Sequence, residues 1–209
     1  MTSDFHDYAV ARREASDLIE AGDYYTASMY EELSKFQMLP SDIPGDADTL
    51  VDPGRIGMGT RELLLSALCY RLAGSTERAR LRCRKGLLIV DDVAAYEEMF
   101  GDPARQGWCH EARGDLKLFG DLDGPEEEYE SARNYYEGVE NDIGWLGEDE
   151  FEFLIQPLLA FAESIGYEVP EREIRRTSLT DRISFKNLEY PEIIHRVIDE
   201  GGWEASRFV

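Results

Sequence analysis

The sequence has few of the residues that several common classes of protein need. It has three cysteines and three histidines in 209 residues, and its longest purely apolar runs, such as residues 158–162, reach four or five residues. An odd set of cysteines without a CxxC pair argues against a disulfide framework or a zinc ribbon. The apolar runs are too short to cross a bilayer, and MTSDFHDYAV has no basic region before an apolar stretch. We therefore expect a cytoplasmic protein with no membrane segment.

Basic residues are also scarce, and lysine above all. The chain has 44 Asp plus Glu against 22 Lys plus Arg, of which only four are Lys, so its formal net charge is -22. Such an excess repels itself at low salt, whereas at about 1 M salt the screening length falls to about 3 Å. The composition resembles that of haloarchaeal proteins. We therefore expect the acidic runs 126–128 and 148–150 to be solvated surface rather than catalytic or metal sites.

Apolar residues recur at helical spacing over most of the chain, and alternation with period two is nearly absent, which predicts a single all-α domain over 1–209. Residues 39–59 are dense in Pro, Gly and Asp and predict an inserted loop, either a functional flap or a flexible insertion. Residues 148–209 are expected to form a helical cap. The predicted helices begin and end near 5–21, 24–38, 60–72, 103–119, 125–138, 150–165 and 191–200, with a further helix opening at 75–76.

Small residues recur around the turns of three helix pairs. In the first two they lie seven residues before a glycine and five after it: Ala15, Gly22 and Ala27, then Ala67, Gly74 and Ala79. The third pair has a turn about five residues longer, at 120–124, and carries Trp108, Ala112, Gly114 and Ala132. Two antiparallel helices can interlock closely only where the side chains at the crossing are small.

These turns resemble those of the tetratricopeptide repeat family over roughly residues 5–138. The turns lie about 50 residues apart where a regular array has 34, and the second and third units lack the closing proline. The resemblance implies a right-handed solenoid of stacked helix pairs with the cap at 148–209. It implies a concave face that accepts a peptide or protein, and neither a reaction nor a cofactor. An irregular helical bundle is the alternative fold.

The candidate binding surface is basic. Five of the eight residues from Arg78 to Lys85 are Arg or Lys, which favours an anion-binding surface for an acidic peptide or a nucleic-acid backbone. The alternative is a set of intramolecular pairs with nearby carboxylates. Neighbouring tyrosines could add flat, partly polar contact area. The candidate partner-binding residues are Arg71, Arg78, Arg80, Arg82, Arg84, Lys85, Tyr24, Tyr25 and Tyr70. A second basic group, Arg172, Arg175, Arg176 and Arg182, either extends this surface or docks the tail.

Residues 108–111, Trp-Cys-His-Glu, are the most enzyme-like stretch. Adjacent helical residues point about 100° apart, so this thiol and imidazole cannot easily form the hydrogen bond that nucleophilic catalysis needs. A metal site built from Cys69, Cys83, Cys109 and His110 would require the second and third pairs to stack, and no ligand spacing supports it. We expect Cys109 inside the protein and His110 on its surface, with no catalytic residue and no metal.

The sequence thus predicts a non-catalytic helical-repeat protein that mediates protein–protein interaction in a salt-adapted cytoplasm. One alternative is a nucleic-acid-associated regulator that uses Arg78 to Lys85, which the net charge opposes because long-range steering would be repulsive. Another is a metal-dependent helical enzyme whose site lies under the loop. The partner, and whether the chain forms a homodimer, stay open.

Overall fold

The described part of the chain is helical throughout. The computed structural model describes residues 2–30, 53–96, 100–139, 158, 162, 166–167 and 178–205. Within these ranges the helices with defined bounds are α1 (Thr2–Glu20), α2 (Pro53–Leu72), α3 (Thr76–Ala94), α4 (Pro103–Phe119), α5 (Pro125–Tyr136), α6 (Leu179–Leu188) and α7 (Tyr190–Ala205). Residues 24–30 are also helical. None of the described helices is both long enough and apolar enough to span a membrane.

Prolines begin two helices where the sequence predicted them. Pro103 and Pro125 occupy the first turns of α4 and α5, and the carboxylate of Asp102 accepts a hydrogen bond from the N–H of Arg105, which caps α4. Proline fits there because its missing N–H would have no helical acceptor and its φ suits the helix. The bounds predicted for α4 are confirmed.

Helix α2 begins at Pro53, earlier than the start predicted near residue 60. Residues 53–59, assigned to the inserted loop from their Pro and Gly content, form the first turns of α2. Thr60, where this helix was predicted to begin, lies inside it and donates from Oγ1 to the carbonyl of Ile56 at 2.9 Å. Burial of Ile56 in the core outweighs the low helix propensity of the neighbouring glycines. Residues 39–52 lie outside the described residues.

The C-terminal helices differ from the prediction. Helix α6 was not predicted, and α7 continues to Ala205, past the stop expected at Gly201 and Gly202. The spacing places Ile193, Ile194, Val197 and Ile198 on the inner face of α7. The first three are buried, and Ile198 is partly buried against the core. The helix predicted at 150–165 lies mostly outside the described residues, although Leu158 and Ala162 are helical and buried.

The three turns at residues 22, 74 and 121 share one backbone geometry. The helix before each turn is followed by a residue with positive φ: Gly22 at 76°, Gly74 at 72° and Asp121 at 50°. The next N–H then bonds to a carbonyl five residues back, that of Leu18 at 2.9 Å, Tyr70 at 2.7 Å and Lys117 at 2.8 Å. This is the Schellman C-cap. Asp121 therefore occupies the same place in the third turn as Gly22 and Gly74 in the first two. Gly114, seven residues before Asp121, corresponds to Ala15 and Ala67.

This correspondence corrects the predicted third turn. Helix resumes at residues 24, 76 and 125, so the third turn is longer by two residues and not by about five. A fourth turn has the same geometry, with Gly166 at φ 77° and the N–H of Tyr167 bonded to the carbonyl of Ala162 at 2.9 Å. Ala162, Gly166 and Tyr167 therefore repeat the hydrogen bond and the positive φ of the other three turns.

The helices enclose one main core and a smaller cluster. Helix α2 packs on α3, α4 and α7, α3 packs on α4, and α5 packs between α4 and α6. The main core includes Leu64, Leu68, Cys83, Trp108, Leu116 and Ile193. The smaller cluster joins α5 to α6 through Tyr129, Ala132, Tyr136, Leu179 and Ile183. The C-terminal helices are thus part of the packed structure on two sides, through α5 and through α2.

Candidate functional site

Part of the predicted basic cluster binds the protein's own tyrosines. The Arg78 guanidinium lies 5.2 Å from the ring centre of Tyr25 and 5.8 Å from that of Tyr70, and its Nη1 donates to the Tyr25 hydroxyl at 2.5 Å. Arg82 lies 5.4 Å from the Tyr70 ring. Such cation–π contacts attract the cation to the face of the ring. Arg78 and Arg82 therefore tie α3 to the preceding helices.

Arg80 is held by carboxylates, as the alternative reading of the basic cluster expected. Its guanidinium donates to Asp121 at 2.5 Å and to Glu77 at 2.7 Å, and these hydrogen bonds raise the pKa of Arg80. Asp121 is also the positive-φ residue of the third turn. This pair therefore links α3 to the end of α4.

Three other candidates contribute to packing. Arg71 is buried, and its Nη1 donates to the carbonyls of Leu118 at 3.2 Å and Phe119 at 3.4 Å. Burial lowers the pKa of Arg71, against the opposing effect of the Asp121 charge. Arg71 thus satisfies the last carbonyls of α4 rather than lining an exposed surface. Tyr70 is buried, and Tyr24 packs against the core.

The rest of the cluster faces outward. Arg84 and Lys85 are exposed, and within the described ranges neither forms an ion pair. Leu81 and Leu88, at 51% and 67% exposure, lie on the same side of the helix. These four residues, which we call the α3 face, place two cations between two apolar side chains one heptad apart.

A second charged group lies in the core between α4 and α6. Of its two cations the sequence singles out only Arg182, as a residue that extends the basic surface or docks the tail. Lys186 Nζ is 2.6 Å from Oδ2 of Asp115 and 2.8 Å from Oε1 of Glu111. Arg182 Nη2 is 2.5 Å from the other oxygen of Glu111. Three of these side chains have 0% exposure and Arg182 has 6%. We call these four residues the ionic cluster.

Two tyrosines of α5 complete the ionic cluster. The Tyr136 hydroxyl donates to Glu111 at 2.7 Å, and the Tyr129 hydroxyl donates to Asp115 at 2.8 Å. Each ring reaches its carboxylate across a glycine of α4, because a Cβ on Gly107 or Gly114 would lie 2.6 or 2.5 Å from the ring. The glycines therefore let α5 approach closely enough for both hydrogen bonds.

The ionic cluster holds its groups in fixed protonation states. Burial raises the pKa of Glu111, but the charges of Arg182 and Lys186, with the hydrogen bonds from Lys186 and Tyr136, lower it to about 2. Burial, followed by the charge of Asp115, raises the pKa of Tyr129 well above its ordinary value. Glu111 is therefore ionised and Tyr129 protonated at neutral pH. Each is bound by internal partners, which suits a structural role.

One signal in the sequence could have revealed the ionic cluster. Glu111 and Asp115 are four residues apart on a helix, and so are Arg182 and Lys186. Each pair therefore lies on one helix face. The same faces also carry buried apolar residues, Trp108 on α4 and Leu179 on α6, each three residues before the first charged residue. Two inward helix faces that carry opposite charges at equal spacing can pair those charges inside the core, as the ionic cluster does.

His110 belongs to a separate, partly exposed group. Its Nδ1 lies 2.8 Å from one carboxylate oxygen of Glu128, and Lys117 Nζ lies 2.6 Å from the other. Its ring stacks on Tyr135 at 5.4 Å. Glu128 was expected to be solvated, whereas it is bound on both oxygens because α4 and α5 lie side by side here. Desolvation raises the pKa of Glu128, but its hydrogen bonds with Lys117 and His110 outweigh this and lower it.

The cysteines are buried thiols. Cys69, Cys83 and Cys109 are all free and buried. Burial raises the pKa of Cys83 to about 12 and that of Cys109 to about 11. Cys109 therefore packs inside as expected and is not a thiolate at neutral pH. Among the described residues, no group of His, Cys, Asp and Glu is arranged to hold a metal ion.

Over the described residues, these observations define an all-helical protein with a buried ionic cluster between α4 and α6 and an outward basic and apolar face on α3. Comparisons of the chain with models of known families, with curated proteins and with solved structures find no match. Its function is therefore argued from the described side chains.

Proposed function

We propose that this chain is a non-catalytic helical-repeat protein that binds another protein through the α3 face. The α3 face itself carries the proposal. Leu81 and Leu88 are each more than half exposed, and Arg84 and Lys85 between them are exposed. Interfaces favour apolar anchors and Arg over carboxylates. In a chain of net charge -22, this combination differs from the acidic background.

The repeat part of the proposal is supported by the turns. Three Schellman caps recur with a small residue, Ala15, Ala67 or Gly114, seven positions before the residue of positive φ. The ion pairs Glu111–Arg182 and Asp115–Lys186 both span 71 residues. Helix α6 therefore runs in the same direction as α4, with α5 between them. This alternation is what a tetratricopeptide-like stack of helix pairs would have.

The composition supports a salt-rich cytoplasm as the site of action. Carboxylates outnumber cations by two to one, and their mutual repulsion is best screened at high ionic strength. In such a medium apolar contacts lose less strength than ion pairs do. A binding face that combines leucines with cations fits that environment.

Binding of a protein is favoured over the two alternatives. Arg78, Arg80 and Arg82 contact groups of the same chain, which leaves Arg84 and Lys85 as the outward cations of the cluster. Two cations are few for the phosphate contacts on which nucleic-acid affinity depends. A metal-dependent reaction would need several converging ligands, whereas the carboxylates of the ionic cluster are bound by Arg182 and Lys186.

Site-specific photo-crosslinking tests the proposal. A photoreactive residue at Leu88 of the full chain, irradiated in the native cell at native salt, should give a crosslinked protein. The adduct should disappear when Arg84→Glu and Lys85→Glu are added. Leu188, which is 76% exposed on α6, is the matched control position and should not give it. Absence of an adduct at Leu88, or the same adducts at both positions, would contradict the proposal.

A further inference from the structure

We infer that the occupant of the α3 face is an acidic amphipathic helix of a partner protein, with two apolar side chains one heptad apart and carboxylates between them. This inference rests on the proposed function and names the chemistry of the partner. The order of the side chains along the α3 face supports this inference. Along the helix these are apolar at Leu81, basic at Arg84 and Lys85, and apolar again at Leu88.

The spacing of the leucines fits a helix. Leu81 and Leu88 are seven residues apart, which is about 10 Å along the helix axis. A partner helix laid along α3 with the same spacing can set both of its apolar side chains against them. Helix-in-groove and helix-on-helix recognition both use such i, i+7 anchors.

The charges give the sequence pattern of the partner. Arg84 and Lys85 occupy the middle of the face. Of the exposed carboxylates at its ends, Glu77 is paired with Arg80 and Asp91 with Arg113, while Asp92 follows Leu88. A complementary helix therefore has carboxylates between its apolar anchors and a cation beyond the anchor that faces Leu88. Contacts beside the leucines exclude water, which strengthens the central ion pairs.

A second copy of this chain does not fit the α3 face. In an antiparallel pairing that brings Leu81 against Leu88 of the second copy, Arg84 meets Lys85 and Glu77 meets Asp92. In a parallel pairing each cation meets a cation again. Both arrangements set like charges against each other at the centre of the contact, which is unfavourable.

Nucleic acid fits less well than a helix. A phosphate backbone would find two cations, Arg84 and Lys85, and would then meet the exposed carboxylate of Asp92 beyond Leu88. It would also leave Leu81 and Leu88, more than half exposed, without an apolar partner. The apolar anchors therefore distinguish a peptide from a polyphosphate chain.

Synthetic helical peptides provide the test with the full chain. The first peptide carries two Leu one heptad apart, Glu between them, Lys outside them and Ala elsewhere. The second exchanges the Glu and Lys positions and keeps the composition. In a fluorescence anisotropy titration, the first peptide should bind at least about tenfold more tightly than the second. This difference in affinity should shrink as KCl is raised from about 0.2 to 2 M, because exposed ion pairs are screened.

Variants of the chain identify the face. Arg84→Glu with Lys85→Glu should reverse the preference between the two peptides. Leu81→Ala with Leu88→Ala should weaken both peptides at least about tenfold, since it removes the shared anchors. The matched charge control is Arg13→Glu with Arg133→Glu, at exposed arginines of α1 and α5, and it should leave both affinities unchanged. Circular dichroism verifies that each variant is folded.

Three results would overturn the inference. Equal affinity for the two peptides, or none for either, would exclude an acidic helix. Tighter binding of a single-stranded oligonucleotide, abolished by the Arg84 and Lys85 changes, would assign the face to nucleic acid. A dimer in sedimentation that Leu81→Ala with Leu88→Ala dissolves would assign it to self-association. If Leu88 gives a crosslink but the two peptides bind equally, the proposed protein binding is supported and the acidic helix is contradicted. If neither the crosslink nor the peptide preference is seen, both proposals are contradicted.

Discussion

The ring of Tyr129 lies directly over Gly114, and a Cβ built on the glycine would lie 2.5 Å from Cε1 of the ring. The ring cannot easily move aside, because its hydroxyl donates to buried Asp115 at 2.8 Å. Tyr136 and Gly107 repeat the arrangement seven residues away on each helix. The two contacts fix α4 and α5 in one antiparallel register.

Gly114→Ala is therefore expected to destabilise the protein. Overpacking typically costs about 1–3 kcal/mol, while alanine gains up to about 1 kcal/mol of helix propensity over glycine. We expect a net loss of up to about 2 kcal/mol in the free energy of unfolding, measured by urea denaturation at fixed salt. Asn134→Ala, on the exposed side of α5, gains propensity without a clash and should be neutral or stabilising. Equal stabilisation by both changes would contradict the packing.

Lys186→Met should be among the most destabilising single changes. It leaves Asp115 charged and buried without its closest cation, and breaking a buried pair from one side typically costs about 3–5 kcal/mol. Adding Asp115→Asn removes that charge and keeps an acceptor for Tyr129, so the double variant should be more stable than Lys186→Met alone. A double-mutant cycle measures this coupling, and additive effects would show that the two groups do not interact.

Acid should weaken the ionic cluster through Glu111. Its pKa in the folded protein is about 2, below the ordinary 4.5, so its contribution is complete above pH 4.5 and is lost as the pH falls towards 2. By linkage, a pKa lowered by this much contributes about 3 kcal/mol to the free energy of unfolding at neutral pH. Glu111→Gln should be less stable than the native chain at neutral pH, and the gap should close between pH 4.5 and 2. The exposed Glu130→Gln is the control, and a gap independent of pH would contradict the assignment.

The cysteines should be unreactive in the folded protein. All three are buried, and burial raises the pKa of Cys83 to about 12 and of Cys109 to about 11, so thiolate is scarce as well as inaccessible. An aromatic disulfide reagent at pH 8 should label none of them within minutes, and all three after unfolding. A cysteine introduced at exposed Asn134 should react at once. Rapid labelling of the native chain would contradict the described packing.

Helix ends were predictable where local residues decide them. Pro103 fixes the start of α4, and Gly22 and Gly74 supply the positive φ that a Schellman cap needs. Asp121 adopts the same conformation without being glycine, so the third turn was misaligned. Ile56 could not be recognised as core from its glycine-rich surroundings. Its burial depends on distant helices that no local pattern describes.

The candidate surface was predicted only in part, because charge alone does not show where a side chain points. Arg71 resembled the other arginines in sequence but lies under the end of α4. Helix α6 was missed for a related reason, since Arg182 and Lys186 stand on its inward face, where the pattern expects apolar residues. Their partners are two carboxylates on a helix far away in sequence.

The ionic cluster also constrains the order in which the chain can fold. During synthesis Glu111 and Asp115 precede Arg182 and Lys186 by 71 residues, so the carboxylates exist for a time without their cations. Burying them at that stage would be costly, and α4 and α5 must keep this part of their contact open to water. The residues that close this part of the core therefore leave the ribosome well after the carboxylates that they pair with. A nascent chain stalled before residue 182 would expose an unfinished interior, even though most of its helices are already made.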